Sequence, residues 1–233
     1  MKAIFKREFL SYFRGPVGFV ILAAFSLFSA LFFSVIYAEG TPKVETVIGA
    51  MSTVVIFAVP FITMKLLSED RRQKVDQALL TAPVKTLEIV LGKFFAALCL
   101  LALGFSFTLI FQIVVTFYVT VNWLIYLYAL LGILLLGSVL ISIGMFFSSI
   151  TESSVVAAAL TFAVFLFDML IGSYAATLNN TVFTAVANAV SFIDRFEGFT
   201  SGILNVTDIV YMLSITVLFL FFTNRMVERR RWA

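Results

Sequence analysis

Residues 124–147 read LIYLYALLGILLLGSVLISIGMFF, without one charged side chain. A helix needs about 20 consecutive apolar residues to cross the hydrocarbon of a bilayer, and this run exceeds that length. Five runs of the same kind surround it: Pro16 to Ala38, Thr46 to Leu67, Ile89 to Val119, Ser154 to Tyr174 and Ile209 to Asn224. Composition agrees with them. Hydrophobic residues make up 62% of the 233 positions and charged residues 12%, with mean hydropathy +1.09; an ordinary soluble domain holds about 45–50% and about 25%. A single soluble core of this size could not hide so much apolar surface. A bilayer accepts it, provided that every backbone polar group is satisfied within helices. The reading is an all-α polytopic membrane protein of six transmembrane helices, one domain over 1–233.

The basic residues orient it. All of the 16 Lys and Arg except Lys43 and Arg195 fall before the first run, around the loop after the second, at the start of the third, or after the sixth. The excess of positive charge marks the cytoplasmic side, so both termini are expected there. The net charge of +3 thus reports topology, and no nucleic-acid partner is expected. The first apolar run is too long for a cleavable signal peptide. Cys99 lies alone inside the third run, and His is absent. Neither a disulfide framework nor a metal centre is expected, and this chain is expected to bind no cofactor.

Residues 1–15 form a unit of their own. Phe5, Phe9, Tyr12 and Phe13 recur at helical spacing with Lys2, Lys6 and Arg14 elsewhere on the wheel, the pattern of an amphipathic helix lying in the headgroup region with its aromatic face down. Gly15-Pro16 turns the chain into the first span.

The polar stretch after the second span, within 68–86, reads Ser68-Glu69-Asp70-Arg71-Arg72-Gln73-Lys74-Val75-Asp76-Gln77-Ala78-Leu79-Leu80-Thr81-Ala82-Pro83. Ser68 suits an N-cap, Glu69 and Asp70 suit a first helical turn, and Pro83 ends the helix. The result is a short charged helix carrying an apolar Leu79-Leu80 patch, able to dock in a groove of another protein. No Gly-rich phosphate loop occurs in the chain, so hydrolysis of ATP is not expected here.

Glu69-Asp70-Arg71-Arg72, then Leu79-Leu80-Thr81-Ala82-Pro83-Val84 and Glu88-Ile89-Val90-Leu91-Gly92-Lys93-Phe94, resemble the ABC-2 type transporter permeases, and within them the short gliding-motility-type (GldF-like) permeases. Ser191-Phe192-Ile193-Asp194-Arg195-Phe196-Glu197-Gly198-Phe199 and the basic ending Asn224 to Trp232 resemble the same subfamily. The resemblance implies that Glu69, Asp70, Arg71, Arg72, Asp76, Leu79, Leu80 and Pro83 belong to a coupling helix that meets a separate cytoplasmic ATPase, where ATP and Mg would bind. Lys74-Val75-Asp76-Gln77 departs from the Gly-Thr-acid pattern of many relatives and displaces the acid by one position. A second permease subunit, identical or not, and an extracytoplasmic accessory subunit are further implied partners, in a bacterial plasma or inner membrane. The resemblance also implies a re-entrant helical pair in 175–207, where Phe183, Val186, Val190 and Ile193 keep an apolar face.

Asp168 is the one acid in the middle of a span, an expensive placement that marks a functional-site candidate. Lining a pathway, pairing with a partner subunit, and packing as a neutral acid all fit it; Gln112 is its candidate hydrogen-bond partner. Gly137, Ser138, Ser142, Gly144 and Ser148 form a small-residue ridge for close helix approach. The function expected is an exporter-type ABC permease. Its rivals are a secondary transporter, which usually shows internal repeats and several intramembrane charges, and a non-transporting mechanotransmission or scaffold subunit.

Overall fold

The structure, a computed structural model, describes residues 1–38, 40, 43–72, 85–177 and 191–231, and among them every regular element is an α-helix. In chain order they are α1 (Lys2–Arg14), α2 (Pro16–Ala38), α3 (Val44–Thr63), α4 (Ser68–Arg72), α5 (Thr86–Thr116), α6 (Trp123–Ile150), α7 (Ser154–Thr177), α8 (Phe192–Thr200) and α9 (Val206–Arg231). Six stretches are long and apolar enough to cross a membrane: α2, α3 with the turn leading into α4, α5, α6, α7 and α9. They coincide with the six runs read from the sequence.

Local chemistry sets the ends. Gly15 is extended and lets Pro16 open α2 in a new direction. Asn122 caps α6, its Oδ1 accepting from Leu124 N at 3.0 Å, and Ser191 caps α8, its Oγ accepting from Asp194 N at 3.2 Å. Gly202, at φ +81°, closes α8 in the left-handed region that favours glycine, and Ile203 N donates back to Gly198 O at 2.9 Å.

Pair contacts give the directions of the spans. Phe25 meets Phe105 and Phe33 meets Phe111, so α2 and α5 run parallel. Thr63 lies against Gly144, and Gly49 and Gly132 both lie against α8, so α3 and α6 run parallel too. Thr108 meets Tyr126 while Leu101 meets Gly137, so α5 and α6 are antiparallel. Up-and-down alternation therefore places α1, α4, the start of α5, the end of α6 and the end of α9 at one end of the bundle, the basic end.

α6 is the central post, in contact with α3, α5, α7, α8 and α9. Its small residues explain how. A Cβ at Gly137 would meet Leu101 Cδ1 at 2.9 Å, one at Gly144 would strike the Thr63 side chain, and Ser138 Oγ lies 3.1 Å from Thr216 Oγ1. The expected ridge thus serves three neighbours rather than one seam. α2, α7 and α9 are the least buried spans and present Leu, Val and Phe outward, where lipid would contact them.

One sequence expectation changes here. Ser68 does not cap α4: its hydroxyl donates back to Met64 O while its N–H goes to Ser148 Oγ. Within α1 the aromatic set divides. Ile4, Glu8 and Tyr12 face the bundle, while Phe5, Phe9 and Phe13 form a half-buried ladder along one flank. An ion pair made by Glu8 decides that rotation.

Candidate functional site

Around Lys93, charge gathers from three elements at the basic end. Lys93 is 1% exposed, on α5. α5 has 31 residues, about 46 Å at 1.5 Å each, and Lys93 lies roughly 10 Å from its first residue. The ammonium therefore sits near the edge of the hydrocarbon, buried by protein rather than by lipid. Its Nζ lies 3.0 Å from Glu8 Oε1, 2.7 Å from Asp70 Oδ2 and 2.6 Å from Leu66 O, to which it donates. The ammonium thus donates to Leu66 O and is paired in charge with two carboxylates, although Asp70 Oδ2, buried beside it, has no hydrogen-bond partner among the described residues. Arg7 bonds Glu8 Oε1 at 2.8 Å and approaches Asp70 Oδ2 at 3.8 Å. Burial alone would raise the Glu8 carboxyl, but the charge of Lys93 and the hydrogen bonds from Arg7 and Lys93 outweigh it and hold it below its ordinary value. Tyr12, one turn on, is pushed up by burial and then by the Glu8 charge; it stays protonated and donates to Ile62 O at 3.4 Å.

The other side of α4 is tied to α6. Arg71 Nη1 donates to Ile150 O at 2.9 Å, satisfying a terminal carbonyl of α6, and Arg71 Nη2 pairs with Glu152 at 2.9 Å in the α6–α7 loop. Ser148 Oγ accepts from Leu67 N and Ser68 N, both at 3.1 Å, and donates to Met64 O at 3.2 Å. Glu69 approaches Lys65 at 4.0 Å. Ser68, Glu69, Asp70 and Arg71 of α4 thus reach α1, α5, α6, the loop into α7 and the turn that follows α3.

Of the predicted coupling residues, the structure brings Asp70 and Arg71 into these contacts and places Glu69 and Arg72 on the same helix. Asp76, Leu79, Leu80 and Pro83 lie outside the described residues. Sequence reasoning assigned neither Glu8 nor Lys93 to a site; Lys93 entered only among the side-assigning basic residues and in the Glu88–Phe94 stretch. The available signal was a cation inside a long apolar run and an anion between Phe5, Phe9 and Tyr12. Two such opposite charges invite pairing.

At the opposite end α8 is wedged into the bundle. Phe192, Phe196 and Phe199, spaced i, i+4 and i+7, are buried, and Thr200 rests against Gly49 of α3. Asp168 of α7, 4% exposed, accepts from Ile193 N at 3.4 Å through Oδ2, and Oδ1 has no hydrogen-bond partner among the described residues. A carboxylate at the first amides of α8 is placed where the helix dipole favours negative charge. Gln112, 1% exposed on α5, does not serve Asp168: neither polar atom of its side chain has a partner among the described residues. Phe183, Val186 and Val190 lie outside those residues, whereas Ile193 is half-buried against the core and supplies the N–H that Asp168 accepts. Arg195 pairs with Asp208 at 2.8 Å and stacks 4.1 Å above the Tyr211 ring, holding α8 to α9.

Asp168→Ala removes that acceptor, and leaving a buried amide unmet costs about 1–3 kcal/mol. Hydrogen exchange of the 192–200 segment should speed up in Asp168→Ala and much less in Asp168→Asn, which keeps an acceptor oxygen. Equal protection in all three proteins would remove Asp168 from the anchoring of α8.

The family model for the ABC-2 type transporter matches residues 1–194, which takes in α1 to α7 and the first turn of α8. No curated protein matches the chain.

Proposed function

The chain belongs to the ABC-2 type transporter family, and from that premise we propose that α4 and the residues after it receive the stroke of a separate cytoplasmic ATPase. The chain is a membrane-spanning permease component, and a permease of this family works with an ABC ATPase subunit. In our reading it is an exporter-type subunit of the gliding-motility kind, with its basic end cytoplasmic in a bacterial plasma membrane. It would work beside a second permease, with ATP and Mg held by the ATPase.

The observation that carries the coupling reading is the Lys93 junction. Lys93 Nζ within 3.0 Å of both Glu8 and Asp70 makes α1, α4 and the start of α5 a single body. On the far side Arg71 ties that body to the end of α6. A push on α4 cannot be absorbed locally by a helix so connected; it is passed to the spans. α8 at the opposite end, wedged between α3, α6 and α7, closes the far half of the path in this reading, and Asp168 is its anchor.

The test is a purification of the tagged full-length chain from its native membrane. An ATPase with a Gly-rich phosphate loop should copurify, and its hydrolysis should be stimulated by the permease. Glu69→Ala combined with Arg72→Ala should lower both copurification and stimulation by severalfold while leaving the permease folded. Undiminished copurification and stimulation in that double variant would sink the coupling assignment.

A further inference from the structure

We infer that α1 carries a binding site for anionic phospholipid, in which Lys2 and Lys6 take the phosphate and the Phe5–Phe9–Phe13 ladder lies against the acyl chains. The first step is that α1 cannot roll. Glu8 is held by buried Lys93 and Tyr12 donates to Ile62 O, so the azimuth of every other α1 residue is fixed. The flank next to the buried face then bears a continuous aromatic row: Phe5 on Phe9 with ring centroids 5.8 Å apart, Phe9 on Phe13 at 5.2 Å, and Phe13 edge-on to Phe19 at 5.6 Å.

Phe19 gives the depth of that row. It lies in the first turn of the first span and is 58% exposed on the surface that would meet lipid. The ladder therefore leaves the bundle at the polar edge of the hydrocarbon and runs along it. Lys2 and Lys6 stand beside the ladder, one helical turn apart and exposed, with Cβ atoms about 6 Å from each other by helix geometry. Neither makes an ion pair among the described residues, whereas Arg7, next to Lys6 in the chain, does. Two unpaired ammonium groups at phosphate depth, on stems long enough to reach it, match the charge of an anionic headgroup. Continuity with the lipid-facing side of α2 favours a lipid over a protein as the occupant.

The expected strength follows from about 1 kcal/mol for each basic residue near an anionic surface, roughly fivefold per lysine. The test uses the full-length chain in phosphatidylcholine vesicles, with Trp123→Phe and Trp232→Phe to clear the background and Leu10→Trp as a reporter. Dibrominated phosphatidylglycerol should quench this tryptophan at a mole fraction at least fivefold lower than dibrominated phosphatidylcholine, and the difference should shrink in 0.5 M salt as charge is screened (a Debye length of roughly 4 Å). Lys2→Gln with Lys6→Gln should make the two quenching curves superimpose, with helical circular dichroism unchanged. Superimposed curves in the parent, or a preference that survives in the double variant, would overturn the site. Loss of ATPase copurification in the double variant without any lipid preference in the parent would overturn it in favour of a protein surface. The quenching assay contains no ATPase, so its failure leaves the permease reading untouched.

Discussion

Lys93→Met is expected to destabilise the protein by about 3–5 kcal/mol at neutral pH, the usual consequence of removing one partner from a buried ion pair. Met fills the space of the lysine stem but leaves Glu8 Oε1 and Asp70 Oδ2 facing one another across the vacated position, each having been within 3.0 Å of the ammonium. It also strands the Leu66 carbonyl. The loss should depend on pH with a sign that can be worked out. In the parent, the Glu8 carboxyl is held below its ordinary value of 4.5. Its stabilising contribution is complete above the unfolded value and is lost as pH falls through the folded one. Without Lys93, burial is left to push the same carboxyl upward. A raised carboxyl favours the fold when protonated, so the variant should recover part of its stability on acidification while the parent loses stability.

Denaturant unfolding in detergent micelles at pH 8, at pH 5 and at a pH below 4 measures both arms, because the parent's loss begins only below 4.5. Glu8→Gln with Asp70→Asn in the Lys93→Met background removes the orphaned charges and should recover more than half of the loss. The cycle among these variants gives the coupling energy directly. A Lys93→Met protein as stable as the parent at pH 8 would show that the junction does not hold the basic end together.

The second large effect is expected at Gly132. A Cβ there would stand 2.6 Å from Phe199 Cβ and 2.7 Å from Phe199 Cγ, so Gly132→Val must displace α8 bodily. Overpacking of this kind costs about 1–3 kcal/mol, occasionally more. α8 cannot withdraw without weakening its Asp168 anchor and its Arg195–Asp208 pair. In a Cys99→Ala background, a cysteine placed at Ile193 should react several times faster with a membrane-impermeant thiol reagent once Gly132→Val is added. Phe199→Gly, which removes the Cβ as well as the ring, should reverse part of the change by vacating the space. Equal reaction rates with and without Gly132→Val would mean that α8 does not rest on that glycine.

How much of this was legible in the sequence divides along physical lines. Apolar runs of about 20 residues report their own environment, so all six spans could be read with ends correct to a few residues. Capping is also local: Ser191 and Asn122 stand where short polar side chains precede helices. Ser68 looked the same on paper. Its neighbour across the bundle, Ser148, lies 80 residues away, and that contact, not the local pattern, decided the hydrogen bonding. Glu8 and Lys93 show the same limit. Each was visible as an oddity in apolar surroundings, but their separation of 85 positions hid the pairing. That pairing is what sets the rotation of α1. Asp168 was singled out by cost alone, and its partner, a backbone amide of α8, carries no side-chain signature.

The hydroxyl of Ser148, with its three hydrogen bonds to the end of the second span, has a mechanical consequence. Together with Arg71 on Ile150 O, it welds the second and fourth spans at the basic end, where sliding one past the other would break several polar bonds at once. Among the described residues the opposite end shows no comparable weld between those two spans; α8 is inserted there by aromatic contacts, the 3.4 Å bond from Ile193 N to Asp168 and the Arg195–Asp208 pair to α9. A pair of rods fastened at one end and wedged apart at the other opens like tongs. The fulcrum lies at the basic end, so a small angular displacement there becomes a larger separation at the opposite end.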